Sequence, residues 1–182
     1  ASNVAIGRSA LGANTTANNN TAVGKDALKV STTAPNNTAL GASVLSTNTT
    51  GSNNTALGSF ALIANTTGAG NTAVGNDCMD SNTTGSNNTA MGVDSLQANT
   101  TGSTNLAVGY YALGSNTTGT GNTALGSYGA LLNNTTATDN NLGSNSVLIS
   151  GSRDNFRWEI STTNPEKGTF TLLIRRGDDT IK

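Results

Sequence analysis

The chain has 182 residues, 10% of them charged and 4% aromatic, with a net charge of −1, no histidine and a single cysteine. That balance argues against a large aromatic core, a basic nucleic-acid-binding stripe, histidine chemistry and an intrachain disulfide. No run of about 20 apolar residues is present, so no membrane-spanning helix is expected. Low charge with abundant Asn, Thr, Gly, Ala and Ser would ordinarily read as disorder. A strict internal period overrides that reading.

The period is set by a glycine that follows an Ala-aliphatic pair at Gly7, Gly24, Gly41, Gly58, Gly75, Gly92, Gly109 and Gly126, and Gly143 continues the series. Each step is 17 residues, and the typical turn reads NNTALGxxALxxNTTGS. After Gly126 the Ala-Leu pair slips by one, to Ala130-Leu131, before the register recovers at Gly143. Seventeen residues are too few for a helix-pair repeat, and the Asn-Thr-Thr-Gly stretch breaks helices. The expected fold is therefore all-β: a parallel β-solenoid of nine turns over residues 1–148. Each turn is expected to hold two short strands, such as Thr21-Ala22-Val23-Gly24 and Ala27-Leu28-Lys29.

Stacking places like residues in columns. One aliphatic column runs Ile6, Val23, Leu40, Leu57, Val74, Met91, Val108, Leu125 and Leu142, and a second runs Leu11, Leu28, Leu45, Leu62, Met79, Leu96 and Leu113. An Ala column begins at Ala5 and Ala22. Alternation along a strand sends the Ala and first aliphatic columns to opposite sides. The sequence leaves open which faces inward. The other needs cover, and self-association, most simply as a parallel trimer, would supply it. The interior is the expected weak point. Leu57→Asp is expected to break stacking, because a buried unpaired charge is costly.

Asn14, Asn48, Asn65, Asn82, Asn99, Asn116 and Asn133 form an Asn column, broken at Ser31. A ligand-binding ladder is one reading; amides bonding turn to turn, as in stacked β structures, is favoured. Gly51, Gly68, Gly85, Gly102 and Gly119 follow three residues later and suit a turn of positive φ. Asp26, Asp77 and Asp94 share one repeat position but lack the ligand number of a calcium site. Cys78 reads as a small buried residue. Phe60, Tyr110, Tyr111 and Tyr128 cluster just after the repeat glycine, as candidate receptor-contacting or subunit-interface aromatics.

The opening Asn3-Val4-Ala5-Ile6-Gly7-Arg8-Ser9-Ala10-Leu11-Gly12 resembles the head repeat of trimeric autotransporter adhesins of the YadA type. The later NTAVG and NTALG turns are similar to repeats of bacteriophage tail fibres. The adhesin resemblance implies a left-handed parallel β-roll assembled as a parallel homo-trimer. Its turns are shorter than the 17 residues found here.

Residues 149–182 differ. Eleven of the nineteen charges lie in 151–182, and Phe156, Trp158 and Ile160, then Phe170, Leu172 and Ile174, alternate with other residues as in half-buried strands. A hairpin turning at Asn164-Pro165-Glu166-Lys167-Gly168, able to cap the solenoid or join it to a further part, is expected. The run Gly168 to Arg176 resembles a segment of contractile phage tail sheath proteins. Arg176-Gly177-Asp178 reads as an ordinary turn and the Asn-x-Thr sequons as incidental. The stop at Lys182 reads as if a longer protein continued.

Together these readings point to a non-enzymatic structural and adhesive fibre component of a phage particle, a stiff trimeric spacer without cofactor or metal. Its expected partners are other virion or cell-surface structural proteins and a host surface glycan or receptor. It is expected in the virion or at the cell surface. A bacterial adhesin head is one alternative. An ice-binding solenoid, presenting Thr49, Thr66, Thr83, Thr100 and Thr117, is another.

Overall fold

The computed structural model describes residues 2–128 and the backbone of three later pieces, 131–132, 156–164 and 169–176. The chain divides into two units, 1–138 and 139–182. The first is a parallel β-solenoid. Its strands are β1 (Val4–Ile6), β2 (Thr21–Val23), β3 (Thr38–Leu40), β4 (Thr55–Leu57), β5 (Thr72–Val74), β6 (Thr89–Met91), β7 (Leu106–Val108), β8 (Thr123–Leu125) and β9 (Leu131–Leu132). β1 to β8 pair in parallel at a constant offset, Ala5 on Ala22, Ala22 on Ala39 and so to Ala107 on Ala124.

The stack ends sooner than the glycine period implies. Eight parallel strands bound seven 17-residue turns, not nine. β9 then runs antiparallel on β8, with Leu131 opposite Ala124 and Leu132 opposite Thr123. The slip in the sequence thus falls just ahead of β9, whose pairing is antiparallel and not parallel. β9 also takes the backbone edge that a ninth parallel strand would need. Gly143, Leu142 and Asn133 lie outside the described residues.

Each of β1 to β8 is three residues long because the repeat glycine ends it. That glycine has φ between 113° and 145° throughout the column, where a side chain is disfavoured. A Cβ at Gly7 would also lie 2.6 Å from the Gly24 carbonyl oxygen. The expected second strand does not form. In that arm the second and fourth residues after the glycine are left-handed, as at Asp26 (φ 59°) and Leu28 (φ 49°), so the backbone coils instead of extending. It still bonds turn to turn: Leu28 N–H donates to Val44 O at 3.0 Å and Leu45 N–H to Ala61 O at 3.1 Å. A left-handed Leu costs roughly 1–2 kcal/mol. Burying its side chain contributes about as much or more, which is why the conformation is kept.

The core is thin. Ala22, Ala39, Ala56, Ala73, Ala90, Ala107 and Ala124 are fully buried and pack against Leu28, Leu45, Leu62, Met79 and Leu96 from the coiled arm. The first aliphatic column therefore faces outward. Ile6 is 60% and Leu125 49% exposed, and Leu57 is only half-buried. This corrects the expectation for Leu57→Asp, since an acid there meets water and not the interior.

The second unit contains β10 (Phe156–Asn164) and β11 (Thr169–Arg176), paired antiparallel from Phe156 opposite Arg176 to Asn164 opposite Thr169. The register shifts between Ile160 and Thr162. The expected hairpin is present. Its turn residues 165–168 and Gly177-Asp178 lie outside the described residues.

Candidate functional site

The outward face of β1 to β8 is the most distinctive surface of the solenoid. Alternation in Thr-Ala-Val points the first and third residues of each strand outward and Ala inward. One outward column is therefore Val4, Thr21, Thr38, Thr55, Thr72, Thr89, Leu106 and Thr123. The other is the aliphatic column from Ile6 to Leu125, including Leu40, Leu57, Val74, Met91 and Val108. None of these sixteen positions is charged. Seven inter-strand steps make the strip about 34 Å long. Sequence reasoning missed the Thr column, although it recurs as the residue before each Ala.

Asn48, Asn65, Asn82 and Asn99 lie inside, not on this surface, and Asn116 is half-buried at the end of their column. Asn65 Nδ2 donates to Asn48 Oδ1 at 2.9 Å, and Asn82, Asn99 and Asn116 repeat the bond down the column. Each Nδ2 also donates to the glycine carbonyl three residues on, as Asn65 does to Gly68 O at 3.0 Å. With both ends of the amide used, nothing is left for a ligand. The glycine is needed for room and not for positive φ: a Cβ at Gly51 would lie 2.5 Å from Asn48 Oδ1.

A second amide column, missed in the sequence, is more regular. Asn3, Asn20, Asn37, Asn54, Asn71, Asn88, Asn105 and Asn122 stand directly before each of β1 to β8, while the first column is broken at Ser31. Each Oδ1 from Asn3 to Asn105 accepts the backbone N–H of the next Asn, for example Asn71 from Asn88 at 3.0 Å. Each Nδ2 from Asn54 to Asn105 reaches a glycine carbonyl of the next turn, as Asn71 does Gly85 O at 2.9 Å. Its signal was the unbroken recurrence.

The break at Ser31 has a cost. Asn14 Oδ1 and Ser31 Oγ are buried without a hydrogen-bond partner. An asparagine in place of Ser31 would give its Nδ2 to Asn14 Oδ1 and accept from Asn48. Ala34, however, stands where later turns have glycine, and its Cβ would crowd the new amide. Ser31→Asn with Ala34→Gly is expected to stabilise the roll by about 1–3 kcal/mol, more than the two single changes summed, as read by a urea double-mutant cycle.

Thr49, Thr66, Thr83 and Thr100 each donate their hydroxyl to the Thr carbonyl one turn on, at 3.0 Å. They line a bend, and their hydroxyls are spent on the backbone.

The aromatics separate into two places. Tyr110 and Tyr128 pack edge to face with ring centroids 5.3 Å apart, and Tyr111 lies 5.9 Å from Tyr128, which is 74% exposed. Phe60 lies three turns from Tyr111 in the same repeat position, so it does not join them.

Cys78 is fully buried, and its Sγ donates to Ala90 O at 3.4 Å. Burial pushes its thiol up to about 12, with Asp80 and Asp94 adding to the rise against a lowering backbone hydrogen bond. Alkylation at pH 8 is expected to be at least about a hundredfold slower in the folded chain than in urea, because the thiolate is both scarce and covered. The raised value also means that the contribution of Cys78 to stability is full below the unfolded thiol's value. It is lost as pH rises toward 12.

Among the described residues no three His, Cys, Asp or Glu side chains converge as metal ligands, and no helix is long and apolar enough to cross a membrane. Compared with protein-family models, curated proteins and solved structures, the chain matches none.

Proposed function

We propose that this chain is a structural and adhesive fibre component of a bacteriophage particle, in which the solenoid is a stiff spacer assembled as a homotrimer through its outward sheet face. The observation that carries the reading is the uncharged strip, eight strands long, of exposed and half-buried aliphatic side chains. A strip of that extent on a lone chain is an interaction surface. Identical repeats on identical chains give matching ladders, and cyclic symmetry closes them without a free edge. Stiffness follows from the two amide columns and the turn-to-turn backbone bonds, which leave no turn free to bend alone. The particle assignment rests on the resemblance of the NTAVG and NTALG turns to tail-fibre repeats. The tyrosine group is the candidate receptor contact on this reading.

The test is the mass of the purified chain by light scattering over a dilution series, together with a search for the chain in purified virions. Three chains per particle at about 500 mM NaCl, where pairing between exposed charges is screened, and presence in virions, is the expected result. A stable monomer overturns the assembly, and absence from virions overturns the particle assignment. Recovery from a bacterial surface instead would favour the adhesin-head reading.

The Thr column on the same face favours one further reading. Thr21, Thr38, Thr55, Thr72 and Thr89 stand beside the aliphatic column at the strand spacing of about 4.8 Å, with Thr123 two strands on, a regular mixed array of the kind that could meet ice. Thermal hysteresis in a monomeric preparation would support that reading over the fibre.

A further inference from the structure

All the charge of residues 2–128 lies on one flank. Arg8, Lys25, Asp26, Lys29, Asp77, Asp80 and Asp94 occupy only the first, second and fifth positions after the repeat glycine. Those positions share a surface: Lys29 Nζ lies 3.6 Å from Asp26 Oδ1, and Gln97 Nε2 donates to Asp94 Oδ1 at 2.9 Å. The signs are segregated along the axis. Counting turns from β1, turns 1 and 2 carry Arg8, Lys25 and Lys29 less Asp26, net +2, and turns 5 and 6 carry three Asp, net −3. Asp26 has Lys25 and Lys29 as ion-pair partners, whereas Asp77, Asp80 and Asp94 have none among the described residues. Three turns, about 14 Å, separate Lys29 from Asp80, too far for either to pair with the other in one chain. Burial, then Asp80 and Asp94, hold the Asp77 carboxyl above its ordinary range, as an acidic group without a cation nearby would be.

We propose that this flank pairs with the same flank of a second copy, antiparallel, about a twofold axis lying across it between turns 3 and 4. The axis follows from the charges. A twofold of this kind sets turn 1 against 6, 2 against 5 and 3 against 4, and keeps each position within the segment facing its own kind. Lys29 then faces Asp80 of the second copy. Lys25 falls opposite Asn76, beside Asp77, and Arg8 opposite Val93, beside Asp94. Asp26 meets Asp77, but its charge is already met by two lysines. At the centre, exposed Phe60 of turn 4 faces Ser43 of turn 3, giving the contact an apolar middle. A parallel, in-register pairing would instead set acid on acid. The occupant is a second copy because one chain carries both halves of the pattern, basic turns 1 and 2 and acidic turns 5 and 6 at the same repeat positions. Exposed ion pairs are individually weak and screened by salt, so the association is salt-sensitive.

The test uses the full chain in sedimentation velocity. On raising NaCl from about 50 to about 500 mM, the wild-type assembly is expected to halve in mass, with at least about a tenfold weaker association. A mass independent of salt overturns the proposal, and this arm needs no variant. Lys29→Glu and Asp80→Lys are surface changes that each put like charges face to face twice. Each alone is expected to stay undoubled at low salt, while an equimolar mixture doubles. In the mixed pair the introduced glutamate meets the introduced lysine, and the unchanged Asp80 of one chain meets the unchanged Lys29 of the other. Doubling of either variant alone, or none in the mixture of two chains with native circular dichroism, overturns the pairing. Leu57→Asp separates this surface from the sheet face: it removes sheet-face assembly and leaves the salt-sensitive doubling in place.

Discussion

Asn71→Leu is expected to destabilise the solenoid by about 2–4 kcal/mol, although leucine is similar in size and more apolar. Asn71 is fully buried, and its Oδ1 is the acceptor for the backbone N–H of Asn88. Leucine leaves that N–H inside the protein with neither protein nor water to bond. An unmade buried bond costs about 1–3 kcal/mol, more than a made one contributes. The Asn88 amide loses its second contact to Asn71 as well. Gly85 O is less affected, since Asn82 also donates to it. The loss of Asn71 Nδ2 there adds the smaller part. Thr67→Ala, at an exposed position of the preceding turn, is expected to change stability by less than about 0.5 kcal/mol. Urea unfolding of both variants checks the contrast. Equal midpoints would mean that the amide column is dispensable.

The solenoid is legible in the sequence because a fixed period turns residues into columns. Once Gly7 and Gly24 set the step, the Ala, Leu and Asn ladders follow, and the parallel register from Val4 on Thr21 onward is the one the period implies. Direction is harder. In Thr-Ala-Val the alternation says that Ala opposes Thr and Val, but both sides carry apolar atoms. Only the Leu28 to Leu96 column, arriving from the coiled arm, decides that Ala is the inner partner. That arm reads as a strand because Ala27-Leu28 is apolar. Its left-handed residues carry a partial signal: Asp26, Asp77 and Asp94 tolerate positive φ, but Leu28 and Leu62 do not advertise it. The stack's end misleads for a related reason. The slip at Ala130-Leu131 looks like a phase error later corrected, whereas β9 there pairs antiparallel and not parallel. Of the candidate site, the aliphatic column stands out in the sequence and the Thr column beside it does not. The more conspicuous hydroxyl column, from Thr49 to Thr117, is the one whose hydroxyls from Thr49 to Thr100 are bonded to backbone.

Leu62→Asp and Leu57→Asp lie five residues apart and are expected to differ in kind. Leu62 is fully buried between the arms of adjacent turns, touching the Ala column. An acid there forfeits roughly 1.5–3 kcal/mol of burial, and the carboxyl must either ionise unpaired or stay neutral without a partner. A total loss of about 4 kcal/mol or more is expected, and it spreads, because each turn of a solenoid is held only by its neighbours. The variant should lose its cooperative melt or unfold at room temperature. Leu57 points out from β4, so the same substitution meets solvent. The dissociated chain should unfold within about 1 kcal/mol of wild type. What Leu57→Asp should lose is the assembly: a carboxylate in each copy of an apolar interface is desolvated without a counter-charge and repels its symmetry mates. Urea unfolding reads the first effect and light scattering the second. Leu57→Asp that keeps a full-mass assembly would show that the outward face is not where copies meet. Leu62→Asp that melts like wild type would show that the interior does not depend on the Leu column at all.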